Sequence, residues 1–294
     1  MPTALVTDST AYLPPGSLHG LPVHVVPLHV VIGGREHEEG VDIGPARVAD
    51  ALHAFTPVST SRPAPGAFLE AYESAARDGA DAVVSVHLSG ELSSTVAGAE
   101  LAAEQAPVPV TVVDSRALGM VMGHAVLAGA RAAREGASAA TVERLVRETC
   151  AGSSVVFYVD TLEYLRRGGR IGRAGALVGS ALAIKPILGL RDGQIVPLER
   201  VRTASRAIAR LEELSLTAAE RALGAHPAGA DLAVHHLDAQ ARAEQLADRL
   251  AERAGRLLGD RAAVGVEVVE LGAVVGAHVG PGTLAVAVVP RVGG

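Results

Sequence analysis

Short β-branched runs alternate along this chain with longer alanine-rich stretches of helical period, and that alternation restricts it to a layered α/β architecture. Strand candidates are Ala4–Thr7, Val23–Ile32, Ala82–Val86, Val110–Val113, Ser154–Val159, Ile184–Leu190, Leu232–His235, Val264–Leu271 and Thr283–Val289. Helices are expected over Ala46–Ala54, Pro65–Arg77, Thr95–Gln105, Leu118–Arg134, Thr141–Cys150, Thr203–Leu214 and Ala239–Leu258. Strands that alternate with helices in this way pair largely in parallel. Arg191-Asp192-Gly193-Gln194 has the composition of a hairpin turn, so some antiparallel pairing is expected in the second half. The last helix sets Leu246, Leu250, Ala254 and Leu257 on one face, which fits packing on a sheet better than lying on a membrane.

The length of 294 residues suffices for two ordinary domains. A seam at Ala151-Gly152-Ser153, where a helix ends and a strand begins, divides the chain into residues 1–151 and 152–294. With 26 basic against 32 acidic side chains, three Phe, four Tyr and no Trp, a base-stacking nucleic-acid platform is not expected. The single cysteine, Cys150, cannot make an intramolecular disulfide, which fits a reducing cytoplasm, the expected location. The start reaches Asp8 before any basic or long apolar stretch, so no secretory signal is expected. Leu271–Val289 carries no formal charge, but Gly280-Pro281-Gly282 would break a spanning helix. It reads as strand, loop and strand inside a core, not as an integral membrane segment.

The only lysine, Lys185, precedes a proline, so a P-loop is excluded. Gly280-Pro-Gly282-Thr-Leu-Ala285 matches a dinucleotide fingerprint in form, yet it lies too near the C-terminus for the helix and strand that must follow. None of the eleven histidines sits in His-Glu-x-x-His. His19, His24 and His29 lack a carboxylate at helical spacing, and His235 and His236 fall on opposite faces of a strand. No metal site and no cofactor is expected.

Four segments remain. Ser59-Thr60-Ser61-Arg62-Pro63 and Ser89-Gly90-Glu91-Leu92-Ser93-Ser94-Thr95 each crowd hydroxyls ahead of a helix, more than ordinary capping uses. Gly276-Ala277-His278-Val279-Gly280-Pro281-Gly282 holds a lone histidine in a glycine-flanked turn. Hydroxyls, helix N–H groups and an imidazole at the carboxyl ends of strands make a site for an anion or carboxylate. Leu162–Arg173 packs Arg166, Arg167, Arg170 and Arg173 around two glycines. Arginines closing a helix explain part of this, and a positive patch for a phosphate or an acidic partner explains the density.

In this order the segments resemble the DegV family of bacterial fatty-acid-binding proteins. Val6-Thr7-Asp8-Ser9-Thr10 looks like its Asp-Ser-Thr start, Thr60-Ser61-Arg62-Pro63 its Thr-Ser-x-Pro loop, and Leu92-Ser93-Ser94-Thr95 its Leu-Ser-Gly-Thr loop. Val113-Asp114-Ser115, Asp160–Ile171, Ile184–Leu188 and Gly276–Gly282 complete the resemblance. It implies two α/β domains with an acyl tunnel between them, and a fatty-acid carboxylate held by Thr60, Ser93 and His278. It places Ser61, Ser94 and Arg170 as possible neighbours of the head group. In some members of that family the bound fatty acid is handed to a separate ATP-dependent fatty acid kinase, so no catalytic residue is expected in this chain. The clustering of Arg166, Arg167 and Arg173 around Gly168-Gly169 in a net-acidic chain marks them as the expected docking surface for such a kinase. Ser94 stands where the family usually has glycine, and its side chain would crowd a head group that relies on close backbone approach. The rival reading is a serine hydrolase or acyltransferase, with Ser93 as nucleophile, His278 as base and Asp8 or Asp114 orienting it.

Overall fold

A computed structural model describes residues 2–177, 184–259 and 266–293. The chain opens with β1 (Thr3–Asp8), a 3-10 turn (Ser9–Ala11), β2 (Val23–Val26), β3 (His29–Ile32) and β4 (Arg35–Glu38). Then come α1 (Pro45–His53), β5 (Val58–Ser61), α2 (Pro65–Arg77), β6 (Ala82–His87), α3 (Thr95–Ala103), β7 (Val110–Asp114), α4 (Met120–Arg134) and α5 (Ala139–Gly152). Next are β8 (Ser154–Tyr158), α6 (Glu163–Arg167), a second 3-10 segment (Gly172–Leu177), β9 (Lys185–Arg191) and β10 (Gln194–Val201). The chain continues with α7 (Ala204–Ala225), β11 (Ala230–His236), α8 (Gln240–Leu258), β12 (Glu267–Glu270), α9 (Ala273–Val279) and β13 (Leu284–Pro290).

Among the described residues these strands form three sheets. The first, in order β2-β1-β6-β7, is parallel throughout. Its strands are valine-rich and largely buried because helices cover both faces. Val84, Val86 and Val113 pack on Met122, Val126 and Val142, while Val83 and Val6 meet Phe68 and Tyr72 on the other side. The second sheet, β4-β3-β5, is antiparallel and pairs Thr60 with Val30. The third, β10-β9-β8-β13-β11-β12, is antiparallel except where β11 meets β12. Leu246, Leu250 and Ala254 of α8 are buried against this sheet, the use that their spacing suggested. Two cores join early and late parts of the chain. Leu28, Val30, Val48 and Leu52 share one with Ala273, Val274 and Ala277. Met120 and Val121 share the other with Ala233, Ala287 and Val289.

Several sequence expectations need correction. Parallel pairing dominates the first sheet only, because the Asp192-Gly193 hairpin and the late return of β13 between β8 and β11 both reverse strand direction. Val23–Ile32 is two strands in two sheets, with Pro27 and Leu28 between them. Ser59–Ser61 belongs to β5 rather than to a loop. Between β12 and β13 the chain forms α9 where a loop was expected, so His278 sits in the last turn of a helix. Val264 and Gly265, the start of one strand candidate, lie outside the described residues. Among the described residues no helix is long and apolar enough to cross a membrane.

Candidate functional site

The ends of β5 and α9 meet side by side. Thr60, half-buried on β5, lies 2.8 Å from Nε2 of His278 through its Oγ1. Burial, reinforced by the Arg170 guanidinium, pushes the His278 imidazole down to about 4, so at neutral pH the ring carries one proton. Nδ1 is buried, has no hydrogen-bond partner among the described residues and packs against Gly168. A proton on Nδ1 would be an unpaired buried donor, whereas on Nε2 it lies in the bond to Thr60. The network therefore assigns the proton to Nε2, which donates to Thr60 Oγ1. The Thr60 hydroxyl is then left to donate its own proton to something else.

This pair is a shared wall between two cavities. One, of about 420 Å³, has an apolar lining that includes Leu28, Leu88, Leu118, Leu165, Ile195 and Val275. Its polar lining is Thr60, Ser61, Arg62, Ser93, Ser94, Arg170 and His278. The other, of about 650 Å³, includes Thr60, Arg170 and His278 as well, together with Phe55, Tyr164 and Arg167. Arg170 braces the junction: its Nε donates to the Leu92 carbonyl at 3.0 Å and its Nη1 to the Gly168 carbonyl at 2.7 Å.

Ser93 sits on a turn that the distant hairpin supports. Ser89 donates to the Gly193 carbonyl at 2.9 Å, and the Gln194 amide donates to Glu91 at 2.7 Å. Ser93 Oγ lies 2.8 Å from Thr95 Oγ1. Ser94 precedes α3 at φ −82° and ψ 20° and makes no cap bond through its side chain, which is exposed at the cavity. Ser61 donates to Glu36 at 2.8 Å.

The structure thus gathers Thr60, Ser61, Ser93, Ser94, Arg170 and His278 around one cavity. Arg62 joins them although the sequence reading assigned it no role; it stood inside the Thr-Ser-Arg-Pro segment. The arginine cluster divides. Arg166 and Arg167 both donate to Glu163, whose carboxyl they draw down to about 2. Arg173 is exposed and, among the described residues, has no acidic partner.

The arrangement needed for a serine hydrolase is not formed. His278 faces Thr60 and not Ser93, and among the described residues no carboxylate reaches its Nδ1. Asp8 is buried elsewhere, accepting from Thr10 and from the Leu88 N–H and bonding His87 Nδ1 at 3.1 Å. Asp114 accepts the Gly90 and Arg116 N–H groups. The contact most like a triad, Asp8–His87–Ser85 with Tyr72 beyond it, is wholly buried between sheet and helix. No cluster of three or more potential metal ligands occurs among the described residues.

The family model described as "Uncharacterised protein, DegV family" matches residues 2–291. The chain belongs to the DegV family. A DegV domain-containing protein of Streptomyces coelicolor is 52% identical over 288 residues, covering 98% of each chain. A DegV family protein from Thermus thermophilus, solved and described for its fatty acid binding, superposes with a TM-score of 0.86 at 33% identity, covering 99% of this chain and 100% of that one. DegV of Bacillus subtilis, described as a fatty acid binding protein, superposes with a TM-score of 0.87 at 29% identity over the same shares.

Proposed function

We propose that this DegV chain is a cytoplasmic carrier that holds a long-chain fatty acid, with the carboxylate on Thr60, Ser93 and His278 and the acyl chain in the apolar-lined cavity between residues 1–151 and 152–294. The observation that carries the reading is the Thr60–His278 pair at the wall of that cavity. A hydroxyl that accepts from a neutral imidazole must donate onward, and a carboxylate is the partner best suited to take that bond. Ser93 supplies a second hydroxyl and Arg170 a positive charge nearby. Burying about fifteen methylenes at roughly 0.8 kcal/mol each gives on the order of 12 kcal/mol before the costs of association. A carboxylate desolvated without partners would forfeit much of that, hence the polar junction.

The fatty acid binding described for the relatives from Thermus thermophilus and Bacillus subtilis supports the same reading. The carrier would present its ligand to an ATP-dependent fatty acid kinase, which forms the acyl phosphate. Arg166 and Arg167 already hold Glu163, so within the arginine cluster Arg173 is the stronger candidate for docking. Arg173→Glu should slow acyl-phosphate formation in a salt-dependent way and leave fatty-acid affinity unchanged. Unaltered kinetics at low and high salt would remove Arg173 from the interface.

Mass spectrometry of the purified protein under native and denaturing conditions tests the carrier reading. A fatty acid that stays bound in the native spectrum and is released on denaturation is the expected result. A covalent acyl-serine at Ser93 would sink it in favour of the hydrolase.

A further inference from the structure

α9 is a helix without a cap of its own. Its N-cap residue is Gly272, which has no side chain to accept the orphan N–H groups of the first turn. Two residues more than 230 positions earlier supply the acceptors. Glu39 Oε1 accepts the Val274 N–H at 2.8 Å, and the Tyr12 hydroxyl accepts the Val275 N–H at 3.3 Å. The fit is close enough that a side chain at position 272 would overlap the Glu39 carboxylate. Glu39 is buried, and its other oxygen takes a 2.5 Å bond from Ser9 Oγ, which itself accepts the Leu28 N–H at 3.0 Å.

We infer that Glu39, with Tyr12, is the positioning residue of the carboxylate site: it clamps the start of α9 and so fixes where His278 stands at the other end. One carboxylate is tied to two segments that line the cavity, through Ser9 to Leu28 and directly to Val274 of the helix that also contributes Val275, His278 and Val279. A helix of two turns transmits a displacement of its first turn almost rigidly to its last. Loss of the clamp would therefore move the imidazole relative to Thr60, although Glu39 touches neither residue. Shape alone cannot stand in for it, since N–H groups at N2 and N3 left unpaired in a buried turn favour fraying.

The inference rests on the carboxylate-site reading, and its test has one readout that needs no ligand. The experiment compares wild type, Glu39→Ala, Glu39→Gln and Tyr12→Phe by fluorescent fatty-acid titration and by NMR of the His278 ring nitrogens. Glu39→Ala should weaken binding at least tenfold and shift the His278 signals. Glu39→Gln keeps an acceptor for Val274 and should stay within about threefold of wild type in affinity, with an unchanged ring spectrum. Tyr12→Phe, which removes only the hydroxyl, should fall between them. If Glu39→Ala does not fold, Tyr12→Phe against Glu39→Gln decides the matter. Wild-type His278 signals and affinity in every variant that folds would overturn the clamp. A wild type that binds no fatty acid overturns the carrier reading instead, while the ring spectra still test the clamp.

Discussion

A methyl group at position 168 has no room. Gly168 has an ordinary right-handed backbone, φ −73° and ψ −8°, so its requirement is for space: a Cβ there would overlap Nδ1 of His278. Gly168→Ala should push the imidazole away from Thr60 while leaving the helix end of α6 intact. Its expected signature is a tenfold or greater loss of fatty-acid affinity in a protein with a nearly wild-type melting temperature. Wild-type affinity in that variant would mean that His278 has slack the packing does not suggest. The hydroxyls proposed to hold the carboxylate can be checked in the same titration. Thr60→Val keeps the shape and removes the donor, as Ser93→Ala removes the other one. Each should cost about 1.5–3 kcal/mol, roughly ten- to over a hundredfold, as for a hydrogen bond to a charged group. Thr60→Ser should retain most of the affinity. A Thr60→Val protein that binds like Thr60→Ser would show that the hydroxyl does not touch the carboxylate.

The turn bearing Ser93 depends on an element from the other half of the chain. Asp192 and Gly193 take φ values of 51° and 80°, as a tight hairpin between twisted strands requires, and the Gly193 carbonyl holds Ser89. Alanine at 193 would sit in the left-handed region, at a cost of about 1 kcal/mol, and its Cβ would overlap Ser89 Oγ. Gly193→Ala should therefore lose more than about 1 kcal/mol in urea unfolding and also weaken fatty-acid binding through the displaced turn. A stability loss with unchanged affinity would confine the hairpin to a structural role. This hairpin was legible in the sequence because Asp-Gly between apolar runs is local chemistry. So were α2, α4 and α8, whose apolar spacing survives into the structure, and the hydroxyl-rich segments at the cavity. The helix α9 was not, because Gly272, Gly276 and Gly280-Pro281-Gly282 give the segment the composition of a loop, and its caps come from Glu39 and Tyr12, far away in sequence. The pairing of Arg166 and Arg167 with Glu163 follows from local spacing too, since the acid lies three and four residues before them on one helix. The antiparallel third sheet was hidden for another reason: strand direction depends on how the chain returns, and local composition does not record it.

Across the whole molecule, burial favours the neutral form of several histidines, so stability is expected to fall in acid. His235 on β11 accepts the Met120 N–H at the start of α4 at 3.1 Å, tying the six-stranded sheet to a helix that covers the parallel sheet. Burial holds it down at about 4, as it does His278, and lowers His124 and His236 as well. In the unfolded chain each titrates near 6.5. A folded value below the unfolded one means that the unfolded state binds the proton first, so the stability contributed is complete above about pH 6.5 and drains away as pH falls toward 4. For His235 alone the loss is on the order of 3 kcal/mol once pH is below the folded value. Glu212 acts in the same sense at lower pH: burial alone would raise its carboxyl, but the bonds from Arg249 and Arg253 outweigh burial and hold it below its usual value. Glu39 opposes them, since burial raises its carboxyl and protonation relieves that cost. The histidines outnumber it between pH 6.5 and 4.5, so urea-unfolding free energy should be nearly flat from pH 8 to 7 and then fall through that window. His235→Gln keeps an acceptor for Met120 and removes the titration. Its slope should be shallower than wild type by up to about 1.4 kcal/mol per pH unit, the value for one proton. Parallel slopes for the two proteins would show that His235 is not protonated on unfolding, and that the tie between α4 and the six-stranded sheet plays no part in acid sensitivity.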